Sequence, residues 1–207
     1  QRMTGLADAE LQVAAPLVVG NEEHRFLILD QLRELKAEPK AVLLEPSGRN
    51  TAPALTLAAL QAMADGSDPV LVMTPADQTV TDPAAFTTTL RRAVHVAAKE
   101  RQIVILGIVP DRPETGFGYI QTASTDEAPL VSRFVEKPDA ETAQRYLDEG
   151  QYYWNGGMFV LRASVWLDAL QRFRPDIDAA TRTAFAARSN DALFVRPGKA
   201  EFAAVPA

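Results

Sequence analysis

Several polar clusters in this sequence follow directly on short apolar runs, and the densest is EPSGRNTAP. Glu45, Ser47, Arg49, Asn50 and Thr51 lie there between Pro46 and Pro53 and around Gly48. A strand-to-helix connection explains part of it. Asn50 or Thr51 can cap a helix, Pro53 can sit in the first turn, and Gly48 can permit a turn. Those roles leave Glu45 and Arg49 unexplained unless the two pair on the surface. The chemical alternative is a nucleotide-base pocket. Donors and acceptors at a strand end would meet the N–H groups of a helix N-terminus, which can hold a base edge or an anion.

Other clusters offer complementary chemistry. Asp77 in TPADQT follows the apolar run PVLVM; it suits a turn or helix cap, or an Mg²⁺ anchor, since that ion keeps waters and takes one or two carboxylates plus phosphates. The segment ETGFGYIQ falls short of a dinucleotide fingerprint, because Gln121 stands where the third glycine belongs and the segment opens a strand. Gly116 and Gly118 then either admit a small ligand close to the backbone or form a bulge or turn. In FVEKPD, Glu136 and Lys137 are adjacent at a strand end, where side chains alternate between faces, so they are not expected to pair with each other. One could accept from a hydroxyl and the other hold a phosphate; both could equally be solvated. Asn155, in YYWNGGMF, is a satisfied turn residue or a reader of sugar hydroxyls. His24 and His95 fall in charged helical contexts and are expected at the surface.

The elements that must carry these groups alternate. Apolar runs at Pro16–Val19, Ala41–Leu44, Pro69–Met73 and Ile103–Ile108 read as strands. Between them lie helical patterns: Ile28, Leu32 and Leu35 on one face; an alanine-rich stretch from about Pro53 to Ala64; and Phe86, Leu90, Ala93, Val94 and Ala97. Near-continuous apolar strands alternating with amphipathic helices imply a mainly parallel sheet covered on both faces. In such sheets ligands bind beyond the carboxyl ends of the strands, where the polar clusters fall. FGYIQT and LVSRFVEKP read as consecutive strands, followed by a helix around Glu141–Leu147, the strand WNGGMFVL, and a helix bearing Trp166, Leu167, Leu170 and Phe173 that ends near Pro175. This second half is expected to extend the same sheet. RPGKAEFAAVPA shows no period and is expected to fray.

Composition narrows the function. The 207 residues carry a net charge of −6 with a pI near 5.0, which disfavours a nucleic-acid-binding surface. No apolar run has the length of a membrane span. The absence of cysteine excludes disulfides and thiolate chemistry and fits a cytoplasmic protein.

In order, EPSGRNTAPA, TPADQ, ETGFGYI, FVEKP and YYWNGGMF, with LVVGNEEHRF near the start, resemble the mannose-1-phosphate guanylyltransferase family of sugar-nucleotidyltransferases. The resemblance runs from about Leu17 to Pro175 and implies an α/β, Rossmann-like mixed sheet of the nucleotide-diphospho-sugar transferase type. It implies transfer of GMP from GTP to mannose 1-phosphate with Mg²⁺. Glu45, Arg49, Asn50 and Thr51 would fall in the nucleotide pocket. Asp77 would bind the metal, and Gly118, Glu136 and Asn155 would contact the mannose. Lys137 would bind the sugar phosphate. Gln78 stands where the family usually has histidine, so no role transfers to it. The family's first strand and arginine-bearing phosphate loop, and its later carboxylate block, have no counterpart here. A single domain over residues 1–207, truncated at both ends, is therefore expected, with very slow or no turnover on its own. A homodimer is also implied. Other sugar-1-phosphate nucleotidyltransferases and a non-catalytic sugar-nucleotide-binding module are the alternatives.

Overall fold

The computed structural model describes residues 11–124, 126 and 128–206. The strands are β1 (Leu17–Asn21), β2 (Ala41–Glu45), β3 (Val70–Met73), β4 (Val104–Ile108), β5 (Gly118–Thr122), β6 (Val131–Glu136), β7 (Tyr152–Arg162), β8 (Ser189–Asp191) and β9 (Phe194–Arg196). The helices are α1 (Arg25–Glu34), α2 (Thr51–Ala62), α3 (Pro83–Glu100), α4 (Ala140–Glu149), α5 (Ala163–Phe173), α6 (Pro175–Ala186) and α7 (Lys199–Ala203). They divide between two compact units. The described residues of one fall within Gln1–Leu71, Thr79–Ile103 and Val160–Ala207; those of the other within Val72–Gln78 and Val104–Phe159.

In the first unit β1, β2 and β9 run parallel, with β8 antiparallel to β9 at the edge. Leu17 lies opposite Ala41 and Asn21 opposite Glu45. Every residue of β2 is buried, as an internal parallel strand covered on both faces requires. Ala41 and Leu43 pack into a core with Leu57 of α2, Leu170 of α5, Ile177 and Phe185 of α6, and Phe202 of α7. The twofold alternation of a strand places Glu45 on that same face.

The second unit holds an antiparallel arrangement. β5 lies between β6 and β7, with Gly118 opposite Glu136 and Tyr119 opposite both Val135 and Trp154. One face is closed by α4: Tyr119, Tyr146, Tyr152 and Trp154 form a core, and the Tyr146 and Tyr152 rings stack at 3.8 Å. Alternation then places Gly118, Phe134, Glu136 and Asn155 on the opposite face.

Three expectations change. β3 and β4 do not join β1 and β2: they lie with β7, β5 and β6 in a second sheet, ordered β3–β7–β5–β6 with β4 against β7, in which β5 pairs antiparallel with both its neighbours, while β9 and β8 from the end of the chain complete the first sheet. The helix bearing Trp166, Leu167, Leu170 and Phe173 ends just before Pro175, as expected, and α6 follows it, with Pro175 in its first turn and Ile177, Thr181, Ala184 and Phe185 on its buried side. The terminal stretch does not fray, since Phe202 and Val205 lie in the core of the first unit. Finally, no residue of α1 is buried: Ile28, Leu29 and Leu32 are half-buried, with Ile28 packed where a side chain on Gly20 would stand, whereas Phe26, Leu27 and Leu35, the last expected on the inner face, are exposed.

Candidate active site

The knot after β2 is built on polar groups left without partners. Glu45 is only 8% exposed, and its Oε1 has no hydrogen-bond partner among the described residues. Burial pushes its carboxyl up to about 7, from an ordinary 4.5. Arg49 does not neutralise it. Its Nη2 donates to the Ala203 carbonyl at 2.8 Å, while its Nε is buried without an acceptor. The expected alternative of a surface Glu45–Arg49 pair is therefore excluded.

Asn50 occupies the N-cap position of α2 but makes no side-chain capping bond. Its backbone stands at φ 63° and ψ −169°, a region that glycine tolerates and other residues enter only under strain. Thr51 is exposed at the first position of the helix. The sequence reading of a plain cap is thus replaced by a strained turn whose donors are left open. Leu44 and Pro46, on either side of Glu45, line a cavity of about 330 Å³ at the carboxyl ends of β1, β2 and β9, with Glu22, Glu23, Arg196 and Lys199. Arg196 donates from Nε to Glu22 Oε2 at 2.9 Å.

In the second unit the cross-strand register gathers residues that lie far apart in sequence. A methyl group on Gly118 would come 2.9 Å from Glu136 Oε2, 3.4 Å from the Phe134 ring and 3.6 Å from Asn155 Cβ. Glu136, Phe134 and Asn155 therefore close over Gly118, and the space that a side chain there would take is occupied by the Glu136 carboxylate. The β5 irregularity lies at Gln121/Thr122, so Gly118 is not the bulge position. Asn155 Oδ1 accepts from Gly157 N at 3.0 Å, and Gly157 sits at φ +64°. That bond orients the Asn155 amide; both residues lie within β7, so Asn155 is not the turn residue that one reading of the sequence expected.

Lys137 departs from expectation. Its Nζ lies 3.6 Å from Glu136 Oε1. The strand ends at Glu136, and Lys137 turns to φ 44°, which cancels the alternation that would separate the two side chains. Both are 63% exposed, so the pair is weakly held and either partner can be recruited by a ligand.

Asp77 is exposed in the loop after β3. The cap of α3 is Asp82 instead, which accepts from Ala84 N and Ala85 N at 3.1 and 3.0 Å. Among the described residues no group of three or more His, Asp or Glu side chains is arranged to hold a metal ion. A lone carboxylate still fits Mg²⁺, whose remaining ligands are waters and substrate phosphates. Both histidines are exposed, as expected.

The nucleotidyl transferase family profile matches residues 5–200. The chain belongs to the nucleotidyl transferase family. Similar to this nucleotidyl transferase chain is the xanthan biosynthesis protein XanB of Xanthomonas campestris pv. campestris strain B100, 48% identical over 203 residues, covering 98% of this chain and 43% of XanB. The mannose-1-phosphate guanylyltransferase of Klebsiella pneumoniae is 48% identical over 190 residues, covering 89% of this chain and 40% of that enzyme. The crystal structure of mannose-6-phosphate isomerase from Helicobacter pylori superposes with a TM-score of 0.84 at 30% identity, covering 99% of this chain and 79% of that one. The chain thus spans less than half the length of these two curated relatives.

Sequence reasoning assigned no role to Gln78, which bonds to the backbone of β7 next to Asn155. Its Nε2 donates to the Gly156 carbonyl at 2.8 Å and ties the Asp77 loop to β7 beside Asn155, while its Oε1 is buried without a partner among the described residues. A glutamine just past an apolar run, in the same position class as Glu45, was the available signal. Phe134 was also missed, because its place beside Gly118 depends on strand register.

Proposed function

We propose that this chain transfers GMP from GTP to α-D-mannose 1-phosphate, giving GDP-mannose and pyrophosphate. The observation that carries the reading is the cluster in which Glu136 and Asn155 meet at Gly118, with Lys137 Nζ 3.6 Å from Glu136 Oε1. A carboxylate and an amide together read the hydroxyls of a sugar ring. The Klebsiella pneumoniae relative, a mannose-1-phosphate guanylyltransferase at 48% identity, supports the same assignment.

In the reaction a phosphate oxygen of mannose 1-phosphate attacks the α-phosphorus of GTP. The new O–P bond forms as the bond from the α-phosphorus to the bridging oxygen breaks, and pyrophosphate leaves with that electron pair. The nucleophile is already anionic, so no serine or histidine is needed. The work of the protein is to position two phosphates and offset their repulsion. Lys137 leaves its exposed pair with Glu136 for the sugar phosphate, and Glu136 turns to a hydroxyl. Glu45, Arg49, Asn50 and Thr51 hold the nucleotide. Asp77 would hold Mg²⁺, which supplies charge neutralisation on the phosphates when bound. A nucleoside triphosphate substrate places the reaction in the cytoplasm, and the family resemblance favours a homodimer.

Pyrophosphate release tests this. Any release, however slow, is expected to require GTP, mannose 1-phosphate and Mg²⁺ together. Equal release with glucose 1-phosphate or dTTP would overturn the assignment, as would no release from a chain that also fails to bind GDP-mannose. Lys137→Ala should weaken mannose 1-phosphate by about 2 kcal/mol, by analogy with a lost charge-assisted contact, and leave GTP nearly unchanged; equal losses for both would refute its role.

A further inference from the structure

With five residues, α7 is too short to stand by itself, since isolated helices below about 12–15 residues are marginal in water. Its place is set by what it docks on. Phe202 and Val205 are sealed into the core of the first unit with Leu43, Leu57 and Phe185. Just before the helix, Gly198 donates from its backbone N to the Ala184 carbonyl of α6 at 2.9 Å. The last carbonyls of a helix have no intrahelical partner. In α7 one of them, Ala203 O, is taken by Arg49 Nη2 at 2.8 Å, from 154 positions away in the sequence.

A guanidinium on a closing helix carbonyl is an ordinary cap. Two observations give this one a larger part. Among the described residues, no other side-chain hydrogen bond ties Ser47, Arg49, Asn50 or Thr51 to another part of the molecule. The tie falls next to Asn50, whose φ of 63° persists only where the surroundings over-determine it. The second observation is the buried Arg49 Nε, which has no acceptor. Nε and Nη2 belong to one rigid planar group, so the bond to Ala203 also fixes where the Nε–H points. A donor oriented beforehand binds its acceptor at a lower entropic cost than one that the ligand must order.

We propose that α7 is the positioning element of the nucleotide site: its Ala203 carbonyl holds the Arg49 guanidinium in the orientation that meets the nucleotide. Docking of α7 and binding of the nucleotide then strengthen each other by the same factor, as linkage requires. This rests on the nucleotidyl-transfer reading, which puts a nucleotide at the knot. Through Arg49, a helix that is remote in sequence and touches no substrate sets the affinity for one substrate and not for the other.

Hydrogen exchange and calorimetric titration of the intact chain test it. In the wild type, GTP should slow exchange at the Phe202, Ala204 and Val205 amides by about fivefold or more, and by more than at the α5 amides of the same core. Phe202→Leu keeps an apolar anchor but loosens α7. It should weaken GTP by about fivefold or more and leave mannose 1-phosphate within about twofold. Leu170→Ala damages the same core from α5 and should leave GTP within about twofold. Melting curves confirm that the variants fold, and the wild-type exchange measurement needs none. Exchange in α7 that ignores GTP overturns the positioning role and leaves nucleotidyl transfer standing. So does unchanged GTP affinity in Phe202→Leu, or an equal loss in Leu170→Ala. No GTP binding by the wild type overturns the nucleotidyl-transfer reading and this one with it.

Discussion

Glu45→Gln should stabilise the chain, and by an amount that grows with pH. The side chain is 8% exposed, its Oε1 lacks a partner, and its carboxyl sits at about 7 where an exposed glutamate would sit at 4.5. Below pH 4.5 both folded and unfolded chains hold the proton, and the burial of Glu45 adds no ionisation cost. Between pH 4.5 and 7 the unfolded chain loses the proton while the folded chain keeps it, so stability falls as pH rises. Above 7 both are ionised and the loss levels off at roughly 3 kcal/mol, from 1.36 kcal/mol for each pH unit between the two values. Glutamine stays neutral throughout. Its own burial cost does not vary with pH, so the informative quantity is the change in the variant–wild-type difference. Between pH 5 and pH 8 that difference should move by about 2–3 kcal/mol in favour of the variant. At about 2–4 °C per kcal/mol for a chain of this size, the relative melting temperature moves by about 5–10 °C. Urea and thermal melts at the two pH values measure it. A difference constant to within about 0.5 kcal/mol would refute the buried, unpaired carboxylate.

Three further outcomes follow from other residues. Asn50→Gly should raise stability by about 1 kcal/mol, because release of a strained φ outweighs the added freedom of the unfolded chain; a loss in urea melts would show that the Asn50 backbone is relaxed. Phe202→Ala should cost about 3–5 kcal/mol, the range for a fully buried aromatic, and a cost below about 1 kcal/mol would mean that the terminal stretch frays after all. Gln78→Ala should cost about 1 kcal/mol through its lost bond to the Gly156 carbonyl. It should also raise the KM for mannose 1-phosphate more than that for GTP, and unchanged kinetics would remove Gln78 from the site.

The parts of the fold that were legible are those where one signal suffices. AVLL reads as a buried strand because an internal parallel strand is covered by apolar neighbours on both faces, and the α3 stripe is plain because Leu90, Ala93, Val94 and Ala97 repeat at helical spacing. α6 was hidden because its inward face mixes Ile177 and Phe185 with Thr181 and Ala184, so its contrast is weak. The terminal stretch was misjudged for a related reason: Phe202 and Val205 are too few to show a period, yet both lie in the core. Glu45 is harder still. A carboxylate ending an apolar run looks like an exit to solvent, and only packing of α2, α6 and α7 over β2 shows that it is enclosed. Candidate sugar-site residues were named one at a time from motifs, but their gathering around Gly118 depends on the register of β5 with β6 and β7. The Glu136–Lys137 pair fails the alternation rule because the positive φ of Lys137 lies outside what a strand pattern encodes.

Titration of the intact chain with GDP-mannose, against GDP-glucose and ADP-mannose, tests the central claim most directly, since the first ligand carries both the base and the sugar assigned to the two groups of residues. The account predicts saturable binding of GDP-mannose that weakens at least tenfold when either the sugar or the base is changed. Equal affinity for all three, or no binding of GDP-mannose, would contradict it.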